Sequence, residues 1–130
     1  MSFNDPTEEQ LAAFAVLRTA GPVHMLNMVR FRERAAYPDG RDATGAEAYR
    51  LYMREAAPAF QRVGARQGWH GAFVQTLIGP ADERWDVVFV AEYPSADAFL
   101  AMLEDPSYRA ALPHRRAAVL DSRLIRLSPT

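Results

Sequence analysis

The sequence predicts an α+β domain, a single antiparallel four-stranded sheet with helices on one of its faces. Three observations predict it. Four runs alternate or concentrate apolar residues as strands do, at about 23–32, 69–78, 85–93 and 121–127. Stretches of helical period separate the first run from the second and the third from the fourth. Gly, Pro and Asp clusters punctuate the boundaries between them.

The elements follow in order. Asp5-Pro6-Thr7-Glu8 is a helix start, with Asp5 as cap, Pro6 at the first helical position and Glu8 placed for a reciprocal bond. Leu11, Phe14 and Ala15 give this helix a short apolar stripe, and Thr19 to Pro22 end it. The first strand runs from Val23 to about Arg32, and a polar loop around Pro38-Asp39-Gly40 follows. A long helix covers about Gly45 to Arg66. Tyr49, Tyr52, Met53, Ala56, Phe60 and Val63 form its buried face, and Arg50, Arg54, Gln61 and Arg62 its wet one. Pro58 inside it removes a backbone donor and is expected to kink or split it.

The second strand is expected from Trp69 to Ile78, closed by Gly79-Pro80, with Ala81 to Arg84 as a hairpin connection into the third, Trp85 to Tyr93. Pro94-Ser95 opens a helix through Leu103. Asp105-Pro106 opens another, with Pro113 interrupting it, and Asp121 to Leu127 form the last strand. Residues 1–22 then make a helical extension, and residues 23–130 a β-α-β-β-α-β unit, the ferredoxin-like split pattern.

The strand faces say more. In "VHMLNMVRFRE" Val23, Met25, Asn27, Val29 and Phe31 point one way, and His24, Leu26, Met28, Arg30 and Arg32 the other. In "WDVVFVAEY" Trp85, Val87, Phe89, Ala91 and Tyr93 share a face, while Val88 and Val90 occupy the centre of the opposite one. A sheet with one wet face alternates more cleanly than this. The chain's own helices cover one side only. Either the N-terminal helix folds back over the other, or a second copy packs sheet to sheet as a homodimer. The short first helix offers few large apolar residues, so the second copy is the favoured cover.

Composition bounds the function. The chain has 130 residues, 49% hydrophobic and 24% charged, with a net charge of −1. All 15 basic residues are arginine, and fifteen against 16 acids leave no basic field for nucleic acid. Cysteine is absent, which removes disulfides, thiolate nucleophiles and Cys-ligated metals. The polar, acidic start and the lack of a long apolar run fit a cytoplasmic bacterial protein with no membrane partner. No phosphate loop, nucleophile elbow or zinc spacing occurs. The three histidines share no ligand spacing, so neither a metal nor a cofactor is expected.

The second half resembles a known family. Glu92-Tyr93-Pro94-Ser95, the Asp105-Pro106-Ser107-Tyr108 turn, and Arg115, Arg116 and Arg123 match the signature half of the domain-of-unknown-function 1330 family. "GAEAYRLY" is similar to its first helix, and "MLNMVRFRE" resembles a longer subgroup with an N-terminal helix. The resemblance implies a dimeric α/β barrel, two ferredoxin-like sheets packed together. By analogy of fold, such barrels include cofactor-independent oxygenases, haem-degrading enzymes and lactone isomerases.

Candidate site residues follow from Asn27, an amide on an apolar strand face. A buried amide must be hydrogen-bonded, so Asn27 is either a structural group or one that orients a ligand between sheet and helices. The aromatic residues expected around it are Tyr49, Tyr52, Trp85 and Tyr108, with Phe73 and Phe89; aromatics at this spacing are also ordinary core. His114 is placed at the surface or the pocket mouth. Arg30, on the opposite face, either pairs with Glu92 or clamps a carboxylate. The loop 34–44 is long enough to be a lid. Two functions remain open: binding or transforming a small apolar or aromatic molecule, as an oxygenase or isomerase would, or a non-catalytic ligand-binding or structural dimeric module.

Overall fold

The computed structural model describes residues 2–17 and 20–130. Helix α1 (Glu8–Val16) precedes β1 (Val23–Phe31), α2 (Gly45–Arg62), β2 (Arg66–Gly71), β3 (Val87–Tyr93), α3 (Ala96–Glu104), α4 (Pro106–Ala118) and β4 (Val119–Leu127). The strands form one sheet in the order β2-β3-β1-β4, and the three pairings between neighbours are all antiparallel. This is the expected ferredoxin-like arrangement, with α1 as the extra helix.

Several local expectations are corrected. Thr7, not Asp5, caps α1: its hydroxyl accepts from the Gln10 amide, and Gln10 returns a bond to the Thr7 backbone. Thr-x-x-Gln is as complete a capping box as the one expected two residues earlier, and it is the one in register with the helix. Arg18 and Thr19, part of the expected helix-ending turn, lie outside the described residues. Helix α2 ends at Arg62 and runs unbroken past Pro58, as α4 does past Pro113. Each proline removes one backbone donor, and tertiary packing holds the remaining turns: α2 and α4 bury alanines and tyrosines against their neighbours, and Ala48, Ala59, Ala111 and Ala118 are fully buried.

The second strand stops at Gly71, not Ile78, and residues 72–86 form an irregular loop. The reason lies in the partner. Gly71 is opposite Val88, and β3 begins one residue earlier, so nothing remains for a longer strand to pair with. Val74, Leu77 and Ile78, which read as strand residues, stand almost fully exposed on that loop.

The register settles the two faces. Val23, Met25 and Asn27 lie opposite Tyr93, Ala91 and Phe89, and these pairs face the helices with Val29 and Ser122. Val23, Met25, Val29, Phe89, Ala91, Tyr93 and Val119 are buried in the core beneath α2, α3 and α4. A chain of rings, Phe60–Tyr93–Phe99–Phe14, fills one end, with centroids 5.0–5.6 Å apart.

The other face carries Leu26 against Val90 and Ile125, Met28 against Val88, and Trp69 beside Val90. No element of the described chain covers it. Trp69 is 59% exposed there, and Ile125 and Leu127 are each 43% exposed. Helix α1 does not fold back over this face. It packs on the helix side, through Phe14 against Phe99, with the Arg126 guanidinium 4.4 Å from the Phe14 ring.

Candidate functional site

The site begins at Asn27, midway along β1 and half-buried on the helix face. Its Nδ2 donates to the Met25 carbonyl at 3.1 Å, a bond within its own strand. Its neighbour across the strand pair, Leu124, shares that face yet is 45% exposed. Leu124 lies on the edge strand β4, where the helix-side face of the sheet meets solvent.

Three tyrosines stand in the same layer. Tyr49 and Tyr52 on α2 are 5.3 Å apart between ring centroids, Tyr52 meets Tyr108 of α4 edge to face, and Phe31 packs on Tyr49 at 5.1 Å. The Tyr52 hydroxyl donates to that of Tyr108 at 3.3 Å. Burial pushes the hydroxyls of Tyr49 and Tyr52 far above the ordinary tyrosine value, and the nearby Arg115 guanidinium opposes the rise only in part. These hydroxyls stay protonated at any physiological pH. Tyr52 uses its proton in the bond to Tyr108.

Arg115 was not legible as a site residue from its type alone. Its place was: it follows Tyr108 by seven residues, two turns along the same face of α4. It reaches Ser122 Oγ at 3.4 Å and also holds the Asn4 carbonyl. Ser122 in turn donates to the Phe3 carbonyl at 2.6 Å, and the Phe3 amide donates to Asp121 at 2.9 Å. The N-terminal segment is thus tied across the edge strand β4. Asn4 Oδ1 beside it is buried with no hydrogen-bond partner. A buried acceptor left unmatched costs about 1–3 kcal/mol.

The other sequence candidates lie elsewhere. Trp85 is buried but falls outside the core cluster. It precedes β3, and its ring sits 5.4 Å from the guanidinium of Arg123, whose register partner Met28 belongs to the open face. His114 is at the far side of α4. Its Nδ1 lies 2.6 Å from the Tyr37 hydroxyl and its Nε2 2.7 Å from Glu55. The ring bridges the two groups, one nitrogen to each. Burial raises the Tyr37 hydroxyl above its ordinary value, and Arg41, stacked 4.1 Å over the ring, opposes this. Tyr37 and the Ala36–Ala117 backbone bond hold the 34–44 loop down on the body. Phe73 lies out on the 72–86 loop, away from Asn27.

Arg30 is corrected in its partner. Glu92 is opposite His24, at the far end of the strand pair, and bonds Arg66 at 2.9 Å. Arg30 is opposite Asp121, whose carboxylate already accepts from Phe3, Ser122 and Arg123. Arg30 instead lines a groove of about 620 Å³ at the end of the sheet, with Arg32, Arg84 and the first turn of α2. Gly45 is needed where that turn meets β1, because a Cβ there would strike the Arg32 backbone. Among the described residues no group of three or more His, Asp or Glu side chains is arranged to hold a metal, and no helix is long and apolar enough to cross a membrane.

The βαββαβ order, the strand order and the helices on one face define a small ferredoxin-like α+β domain. The chain belongs to the family described as domain of unknown function (DUF1330), which matches residues 41–126. It is 55% identical to RPA0582, a protein of unknown function from Rhodopseudomonas palustris, over 100% of this chain and 98% of that one, with a TM-score of 0.96. A dimeric ferredoxin-like protein of unknown function from Thermobifida fusca shares 20% identity over 88% of this chain and 96% of its own, at a TM-score of 0.54. SnoaB, a cofactor-independent oxygenase from Streptomyces nogalater, shares 21% over 85% and 95%, at 0.52. These two likenesses are of fold. No curated protein matches the chain.

Proposed function

We propose that the protein is a homodimer, joined through its open sheet face into an α/β barrel, and that each protomer binds a small apolar or aromatic molecule between sheet and helices. The observation that carries the binding site is polar chemistry in an otherwise apolar layer whose edge meets solvent at Leu124. Asn27 and Ser122 share the helix-side face of the neighbouring strands β1 and β4, Arg115 reaches Ser122 and the Asn4 backbone from α4, with the unmatched Asn4 oxygen on that segment, and the Tyr52–Tyr108 hydroxyl pair joins α2 to α4. Aromatic walls supply the apolar contact and a few placed polar groups the orientation, as small-molecule sites generally do. The raised tyrosines favour holding a ligand over deprotonating it.

The pairing rests on the open face. Leu26, Met28, Val88, Val90, Trp69, Ile125 and Leu127 form one apolar surface. Each side chain that a partner buries fully stabilises the pair by roughly 1.5–3 kcal/mol. The Thermobifida relative of the same fold is dimeric, which agrees.

Two-dimensional NMR with indole as a neutral aromatic probe tests the binding site. Shifts centred on the Asn27 side chain and Ser122, weakened in Asn27→Ala, support it. Shifts confined to the exposed 72–86 loop, or none, refute it.

A further inference from the structure

We infer that the groove at the end of the sheet is a binding site for the carboxylate of a small, singly charged organic acid, held by Arg30, Arg32 and Arg84. It is distinct from the tyrosine layer and does not depend on it. Three arginines share one groove of about 620 Å³, and the ion pairs among the described residues bypass all three. Arg32 Nε is buried and has no hydrogen-bond partner. The Arg32 guanidinium, in none of the ion pairs, keeps its remaining N–H donors for an incoming oxygen anion.

The acids nearby are otherwise employed or turned away. Asp86 accepts from the Phe31 amide at 2.8 Å. Asp121, opposite Arg30, is engaged at Oδ1 by Phe3, Ser122 and Arg123. Glu33 completes the charges of the groove. Three cations against Glu33 and Asp86 leave one net positive charge, which matches a single carboxylate better than a phosphate dianion. Phe31, Ala46 and Leu120 line the same groove and offer apolar contact for the body of the acid. The start of α2 borders the groove at Thr44 and Ala46, with its Thr44 and Gly45 amides already taken by Glu47 and Glu33.

The test uses the full-length protein and two probes of one shape, benzoate and benzyl alcohol, with inorganic phosphate as a third, followed by NMR at the Arg Nε and the 44–46 amides. Benzoate is expected to shift these signals, and to bind at least about tenfold more tightly than benzyl alcohol, as a charge-assisted contact requires. Arg84→Gln changes an exposed side chain and leaves the core untouched; it is expected to weaken benzoate about tenfold, and Arg32→Gln more. Equal binding of the alcohol, tighter binding of phosphate, no shift with benzoate, or an unchanged affinity in Arg84→Gln would each overturn the inference. Indole shifts at Asn27 are indifferent to these outcomes.

Discussion

Gly45→Ala is the substitution whose cost can be worked most directly from the structure. Gly45 is the first residue of α2 and is buried against the end of β1. A Cβ built on it lies 2.9 Å from both the carbonyl carbon and the nitrogen of Arg32, and nearer still to the oxygen. All three are backbone atoms, pinned because the Arg32 amide donates to Ala118 at 2.8 Å and the Gly45 amide to Glu33. Alanine's helix propensity pulls the other way, by at most about 1 kcal/mol in a helix interior and less at its first position. Overpacking a well-packed contact costs roughly 1–3 kcal/mol, so the clash wins. For a domain of this size about 4 °C per kcal/mol is expected, giving a Tm about 4–12 °C lower. Thermal unfolding followed by circular dichroism reads it, with Ala46→Ser as a neighbouring control. A Tm equal to or above the parent's would show that α2 does not dock on β1 as described, and would remove the wall of the arginine groove with it.

Asn27→Ala removes one partly buried neutral bond and is expected to cost only about 0.5–1.5 kcal/mol in urea unfolding while weakening indole; a loss well above this would make Asn27 a structural amide. His114→Phe strands the Tyr37 hydroxyl and frees Glu55. Hydrogen exchange is expected to speed at the amides of 35–43 with little change in β1; unchanged exchange there would contradict the account of how this loop is held. Arg62 and the Ser107 amide hold the Asp105 carboxyl at about 2, below its ordinary 3.8. The stability it adds is present above pH 3.8 and lost as pH falls through 2. In Asp105→Asn the acid-side loss of stability between these values is expected to flatten, and an unchanged acid limb would refute it.

Fold and site were unequally visible before the structure. The alternation in "VHMLNMVRF" and "VVFVAEY" separated two faces, and the register reproduces that separation pair by pair, because strand period ties every side chain to its neighbours. The unmatched apolar face was visible for the same reason. Strand length in "WHGAFVQTLI" was not, because a strand needs a partner as much as a pattern, and β3 had no residues left to offer. Of the candidate residues, Asn27 and the tyrosines Tyr49, Tyr52 and Tyr108 lie on the helix side of the sheet, the tyrosines meeting one another between α2 and α4. Trp85 does not, because the chain turns before β3 begins and sends its ring toward Arg123. His114 turns to Tyr37 and Glu55, partners 77 and 59 residues away in sequence that no local pattern foretells. Arg115, Ser122 and Asn4 meet only because the N-terminal segment crosses β4, a tertiary fact with no sequence period behind it.

The most direct measurement of the central claim is sedimentation velocity at micromolar concentration, on the parent chain and on Val90→Asp, which places a charge at the middle of the uncovered face. Pairing across that face predicts twice the 14.6 kDa chain mass for the parent and a folded single-chain species for the variant. A single-chain parent, or a variant that pairs as strongly as the parent, would contradict it.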